Sequence, residues 1–581
     1  MAAWGVRFFG PGFSGEEEDE AAAVAGREKE AGGLEGEKTN PSAMDRTSEL
    51  PTKILYQILS RLPTKTAAQT SVLSKPWLQA CSTNPYLSFD EFDFNPHLNY
   101  NKFYLERPPG KSIEFHGKFL RIVDDILGRY LREKLPISTF KLCISFSNET
   151  DCDGLVDKWL DIIAKKNVSQ FALLVKSRSG KFSLSADTIF SMELLQQLEL
   201  NWCKILLKQK AVLFDDRIKC RNIKNLTLCH VSVSESTLHS LISCCPQIMM
   251  ISLQYCVGFS RIRMSNLPKL LSLSILCCYV EEVHIIEAPK LLSFKYGERI
   301  NLSSLNIGTC QNLTRVEFVS AKIINDDILF QLIKKLPFIK ELSLRYCEQL
   351  RKIKISSSTL EVCSIGYCYL LVQAIFDVPK LLSLAISIQY KLPSLSFECC
   401  SSQCRISINY CCILEAEGFI RLRKFLVELN DQAVDLTLSN QRFRNNCTSG
   451  LRYLPTPEVE NLILPDRNHP NLSYSSYFDA IFWTCWPKSL TVECDPRFRK
   501  FIRQQLLKKY QWRLNKCTWK EYLINAQIEY KKTIGGDWVP LDRKMLAANP
   551  RIIEAIHTIR FKQTERKDKN KESFISRYTP R

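Results

Sequence analysis

The densest group of residues that could do chemistry is CCSSQCRISINYCC (399–412), five cysteines in a stretch of fourteen. Cysteines at this density can hold zinc, which takes four thiolate or imidazole ligands at characteristic spacings. Here the intervals are three and then six residues, which fit neither a finger nor a ribbon, so no metal is expected. The seven histidines (His97, His116, His230, His239, His284, His469 and His557) are scattered, and none lies in a metalloprotease context. There is no nucleophile elbow, phosphate-binding loop or paired acid and base. The expectation is a non-catalytic chain that needs no cofactor. One recurring pair remains: Trp202-Cys203, Tyr255-Cys256, Tyr346-Cys347, Tyr367-Cys368 and Tyr410-Cys411. Stacked rings could bind a small ligand, since Trp and Tyr favour interfaces. The plainer expectation is that each ring fills the edge of its own structural repeat.

Those pairs sit in a repeating unit, L-x-x-L-x-L-x-x-C. It reads LQQLELNWC (195–203), IMMISLQYC (248–256), LLSLSILCC (270–278), LSSLNIGTC (302–310), IKELSLRYC (339–347) and LEVCSIGYC (360–368), with weaker copies that include LPSLSFECC (392–400) and LRKFLVELN (422–430). The central apolar positions Leu198, Leu226, Ile251, Leu273, Phe294, Val316 and Leu342 are 28, 25, 22, 21, 22 and 26 residues apart, with half-steps at Leu305 and Ile353. A period of roughly 20–29 residues with this pattern marks leucine-rich repeats, each a short strand that must stack on its neighbours to bury its face. LPKLLSLSI (267–275), APKLLSFKY (288–296) and VPKLLSLAI (378–386) echo one another. The intervening STLHSLISCCPQ and DDILFQLIKKLP have helical spacing and should form the convex side. Outward strand positions then line the concave side: Gln197, Glu199, Asn201, Gln254, Lys295, Arg315, Glu317, Glu341 and Arg345 are the candidates for recognising a target. VENLILP and KSLTVEC supply the last strands before Pro496.

Ahead of the repeats lies ELPTKILYQILSRLPTKTAAQTSVLSKPW (49–77). Ile54, Ile58 and Leu62 recur every four residues beside Leu55 and Leu59, giving a wide apolar stripe on one helix. Pro51 suits that helix's first turn, Pro63 ends it, and Thr64 can cap a second helix that Pro76 would end or bend. A pair of about 30 residues cannot bury so much apolar surface alone, so it should dock on something else.

Composition is that of a soluble globular chain: 581 residues, 45% apolar and 24% charged. No apolar run approaches the roughly 18 residues of a membrane span. The 24 cysteines without a secretory leader suggest reduced thiols in cytoplasm or nucleus. The net charge of +18 is uneven. Residues 1–44 hold nine acidic and four basic side chains and too few aliphatic ones to fold, whereas 496–581 hold 22 basic against eight acidic. That basic segment contains RFRKFIRQQLLKKYQWRL, an amphipathic helix, and its Phe498, Tyr510, Trp512 and Trp519 could stack on bases beside phosphates. A solvated basic face is the preferred reading, so nucleic acid is not the expected partner.

The segment LPTKILYQILSRLPTKTAAQTSVLSKPW resembles the F-box of plant-type F-box/leucine-rich-repeat (F-box/LRR) proteins through Leu50, Pro51, Ile58, Leu59, Ser60, Leu62, Pro63, Thr70, Ser71, Val72, Leu73, Ser74 and Trp77. NPYLSFDEFDF (84–94) and the following repeats extend the likeness to about residue 440. Lys53 and Gln57 stand where that pattern is usually acidic, and Pro76 where it is usually basic. The resemblance implies an α/β chain: a helical F-box (45–95), a linker and repeat cap (96–139), a curved leucine-rich-repeat solenoid (140–495) and a basic C-terminal extension (496–581). It implies a substrate adaptor of a Skp–cullin–F-box ubiquitin ligase. The Skp-type linker protein would be bound by Leu50, Pro51, Ile54, Ile58, Leu59, Leu62, Val72, Leu73 and Trp77, a cullin would be reached through it, and the repeats would hold a target protein. The alternatives are a repeat module whose degenerate F-box works outside a ligase, and nucleic-acid association through the basic segment.

Overall fold

A computed structural model describes residues 49–62, 64–94, 110–146, 153–177, 180–206, 218–298, 304–307, 310–389, 391–411, 416–429, 432–439, 456–465, 473–507, 518–542, 545 and 550–563. The acidic segment 1–44, Pro63, His97, Cys412, His469, Tyr510 and Trp512 lie outside them. Residues 1–51 and 52–581 are separate units. Of the first, only 49–51 are described, with Leu50 half-buried and Pro51 exposed.

The second unit opens with helices α1 (Thr52–Leu59), α2 (Thr64–Gln69) and, after a 3-10 turn at Thr70–Val72, α3 (Lys75–Ser82). There are thus three helices where the sequence suggested two. Pro76 starts the third instead of ending the second. It sits in the first turn of α3, after an extended Ser74 at φ −167°. A residue without an N–H is tolerated there because first-turn amides have no intrahelical acceptor.

The chain then enters a nineteen-stranded sheet. Its first strand, β1 (Tyr86–Asp90), pairs in parallel with β2 (Thr139–Phe146), and β2 with β3 (Gln170–Ser177). The parallel ladder continues strand by strand to Trp486–Glu493. There the direction reverses: Thr558–Gln563, Ala526–Lys531 and Val539–Pro540 add antiparallel strands.

The register carries the repeat. Leu198, Leu226, Ile251, Leu273, Phe294, Val316 and Leu342 stand side by side in one row, and every one is buried. Successive side chains of a strand point to opposite faces, so this row feeds the interior while its neighbours face outward. Cys203, Cys256, Cys310 and Cys347 close their repeats from inside, also fully buried.

The opposite side is not uniformly helical. Helices Glu235–Ser243 and Asp326–Lys334 form where helical spacing is strong, each capped by a side chain (Ser234 Oγ accepting from Thr237 N, Asn325 Oδ1 from Ile328 N). Elsewhere the half-steps form small parallel sheets, among them two of three strands. One holds Arg261–Met264, Glu282–Ile285 and Ser304–Asn306; the other holds Lys352–Ser356, Gln373–Val378 and Ser394–Cys400. LSSLNIGTC and LPSLSFECC therefore belong to this outer layer, not to the main ladder. LRKFLVELN is part of a helix, Ala416–Glu428. Leu422, Phe425, Leu426 and Leu429 are spaced for one helical face, and all are buried.

Candidate protein-interaction surfaces

The three N-proximal helices divide their apolar residues between two faces. Leu55 and Leu59, one helical turn apart, are buried together with Trp77 and Ala80. Tyr56 OH meets Thr83 Oγ1 at 2.8 Å, tying α1 to the end of α3. Outside stand Val72 (84% exposed), Leu73 (59%), Leu78 (55%) and Ile54 (39%). Ile58 and Leu62 are half-buried between the two groups. Of the residues expected to meet a linker protein, Leu59 and Trp77 thus hold the helices together from within, while Ile54, Val72 and Leu73 face out. Leu78 had escaped notice; it lies one residue after Trp77, about 100° further round the same helix, and that turn carries it to the exposed side.

The helices are joined firmly to the first repeat strands. Helix α5 (Gly110–Arg132) follows the short helix α4 (Glu91–Phe94). Arg129 donates to Ser82 O (2.9 Å) and Tyr130 OH to Asn84 O (2.8 Å), holding the exit of α3. Burial pushes the Tyr130 hydroxyl up to about 12. Glu91 is fully buried. It accepts from Ser145 N (2.7 Å) and Ser145 Oγ (2.8 Å) on β2, and its other oxygen meets His116 Nδ1 of α5 at 2.8 Å. A buried carboxylate is tolerated when its lone pairs are matched in this way.

On the outer face of the ladder the predicted residues fall into groups. Gln197 and Glu199 line a depression of about 340 Å³ with Thr227, Met250, Ser252 and Ser274. Further along, register brings five others together. Lys295 Nζ lies 3.0 Å from Glu317 Oε2, and Arg345 Nε 4.0 Å from Glu317 Oε1. Arg315 grips Glu341 with two bonds, Nε–Oε2 at 2.5 Å and Nη2–Oε1 at 2.7 Å. Asn201 and Gln254 belong to neither group; Gln254 turns to Ser252 Oγ at 3.2 Å.

The two Arg315 bonds hold the Glu341 carboxyl below the usual carboxylate range, and the same pairing raises Arg315. A depressed carboxylate pKa contributes stability that is present above its unfolded value and is lost as pH falls through its folded value. In a carbon-detected NMR titration, the Glu341 carboxyl is therefore expected to protonate below the ordinary glutamate midpoint, and Arg315→Ala should return it to normal. An unshifted wild-type midpoint would refute the pairing.

The F-box domain family matches residues 47–89, and the family described as FBD-associated F-box protein At5g56370, LRR repeats, matches 156–323. The first covers the helices and β1; the second covers strands of the ladder. The chain thus carries an F-box and FBD-associated leucine-rich repeats. It is similar to three from Arabidopsis thaliana. Putative F-box/LRR-repeat protein At5g02930 is 26% identical over 43% of this chain and 44% of the relative. F-box/LRR-repeat protein At3g03360 is 25% identical over 56% and 61%. F-box/FBD/LRR-repeat protein At1g13570 is 28% identical over 41% and 55%. The chain spans about half the length of the curated relatives it matches. Among solved structures, the functional domain of InlJ from Listeria monocytogenes aligns over 83% of this chain and 94% of its own, at 11% identity and a TM-score of 0.24.

Within the F-box match, the departures from the usual box pattern sit outside the core. Lys53, Gln57 and Pro76 are all exposed, so they alter the surface without disturbing Leu55, Leu59 or Trp77. The aromatic pairs of the LRR strands also find their place. Trp202, His230, Tyr255, Cys277, Ser320, Tyr346 and Tyr367 all have φ between +53° and +56°. This is the left-handed turn that ends a strand, and small side chains adopt it here as readily as rings. Trp202, His230 and Tyr255 stack at 4.6 Å intervals, and Tyr346 on Tyr367 at 5.1 Å. His230 was missed in the sequence because Val231, not Cys, follows it; its place ahead of the closing residue was the available signal. Tyr410 differs, being buried within a strand.

In the C-terminal extension, Phe498 and Trp519 are core residues. Trp519 Nε1 donates to Asp479 at 2.8 Å, and its ring packs on Phe478 and Phe501. Neither ring can stack on a base, which removes part of the ground for nucleic-acid association. Among the described residues no three His, Cys, Asp or Glu come together as metal ligands, and no helix is long and apolar enough to cross a membrane.

Proposed function

We propose that this chain is a substrate-recognition adaptor of a Skp–cullin–F-box ubiquitin ligase. An F-box joined to leucine-rich repeats is a protein-interaction architecture: F-boxes generally bind Skp-type proteins, and such repeats bind targets. The observation that carries the reading is the outward apolar group Ile54, Val72, Leu73 and Leu78 on the F-box helices. Several large apolar side chains left exposed on so small a helical module mark an interface. The linker protein covers it, the cullin follows through the linker, and the concave strand face around Lys295, Glu317 and Arg345 receives the target. The chain performs no chemistry itself; the reactive cysteines of ubiquitin transfer belong to other subunits.

The inward position of Leu59 and Trp77 decides how this is tested. Truncating them would unfold the helices and abolish any binding trivially. Val72→Asp with Leu73→Asp alters only exposed side chains. Full-length chain is co-expressed with a Skp-type protein and purified by a tag. Wild type should retain the linker, and the double variant should lose it by at least about tenfold, the effect of removing roughly 1.4 kcal/mol or more at an interface core. Its thermal transition should not move. Equal retention by both would refute the assignment. Target binding without any linker association in wild type would instead identify an adaptor that works outside a ligase.

A further inference from the structure

The repeated PKLLS motif builds a second surface, at the rim where the chain enters each strand. Its first leucine (Leu270, Leu291, Leu381) is buried in all three copies. Its second leucine is half-buried at Leu271 and exposed at Leu292 and Leu382. Backbone bonds place these residues in a continuous row: Leu271 N donates to Met249 O, Leu292 N to Leu271 O, and Thr314 N to Leu292 O. Phe338, 54% exposed, stands beside the row, and with Leu271 and Leu292 it lines a depression of about 490 Å³. In one copy the lysine of the motif borders it. Lys290 lies on its wall and has no ion pair among the described residues. Lys269, in the preceding copy, meets the neutral Gln247 and no carboxylate among the described residues. The nearest carboxylate along the row, Glu361, is already taken by Lys340 at 3.0 Å.

We infer that this rim binds an acidic amphipathic helix of a partner protein. The occupant follows from charge and length. Met249, Leu271, Leu292, Thr314 and Phe338 span about four strand steps, or ~19 Å at ~4.8 Å per step. A helix of about thirteen residues has that length at 1.5 Å per residue. Leucines at i, i+3, i+4 and i+7 would enter the apolar row, and flanking glutamates would meet Lys269 and Lys290. The surface shares no residue with the F-box helices and borders the concave face at its edge, so it stands whether or not the chain serves a ligase.

The test uses full-length chain and a fluorescent synthetic peptide of about thirteen Leu, Glu and Ala residues arranged as that helix, read by anisotropy. Wild type should bind it, and added salt should weaken the complex. Leu292→Asp with Phe338→Asp, and separately Lys269→Glu with Lys290→Glu, should each weaken binding at least about tenfold while leaving the far-ultraviolet dichroism unchanged. Failure of wild type to bind, equal binding by the variants, or equal binding of a scrambled peptide would each overturn the proposal. So would concentration-dependent self-association that Leu292→Asp removes, because a second copy would then be the occupant.

Discussion

Glu91→Ala is expected to destabilise the start of the ladder by about 3 kcal/mol or more, the usual consequence of removing one member of a buried, fully matched polar group. The carboxylate joins three elements: the short helix that carries it, β2 through both the amide and hydroxyl of Ser145, and α5 through His116. Without it the Ser145 amide and hydroxyl lose the acceptor they share in the interior. A repeat array loses stability locally, because each unit touches only its neighbours. The loss should therefore show as faster amide exchange in Thr139–Phe146 and earlier proteolysis there, while the distant strand Trp486–Glu493 stays protected. Glu91→Gln keeps one acceptor and nearly the same shape and should cost less. Unchanged exchange in β2 for Glu91→Ala would mean the carboxylate is not what joins the helices to the sheet.

Gly258→Ala should be nearly as severe, and for a different reason. Its φ is +101°, where a side chain is already strained, and an added Cβ would lie 2.4 Å from Val233 O and 3.1 Å from Val233 C. That carbonyl belongs to a backbone that cannot swing away freely, because Val233 N donates to Val257 O and Ser232 bridges Val257. Strain of about 1–3 kcal/mol from the dihedral is then joined by a backbone clash. Gly535→Ala is the matched control: its φ is +81°, yet nothing lies within 4 Å of its Cβ position. It should show the dihedral cost alone. Comparable urea midpoints for the two variants would show that the close approach to Val233 contributes nothing.

The ladder was legible because its signal is repeated. Leu198 through Leu342 recur with one pattern, and stacking neighbours in register is the only way to bury them all. The outer layer was harder to read. Leu305 and Ile353 announced half-steps, but the sequence alone did not show that these short strands pair with one another across repeats. LRKFLVELN misled because a leucine every three to four residues satisfies a helix and a loose repeat equally. On the F-box helices, composition could not tell which greasy residues meet the protein's own core. Leu59 and Val72 are equally apolar, and only the packing of α1 on α3 assigns one inward and the other outward. The charge cluster at Lys295, Arg315, Glu317, Glu341 and Arg345 was legible as outward positions, whereas its pairing required the register between strands.

The antiparallel turn-back at the end of the ladder has a consequence for assembly. A parallel stack of strands offers at its last rung a row of free amides and carbonyls that could recruit another polypeptide and grow into a fibre. Among the described residues the final rung is Val539–Pro540, two residues long, and its proline has no N–H to donate. So short a stub, with one amide missing, templates a further strand poorly, which opposes polymerisation at that rung.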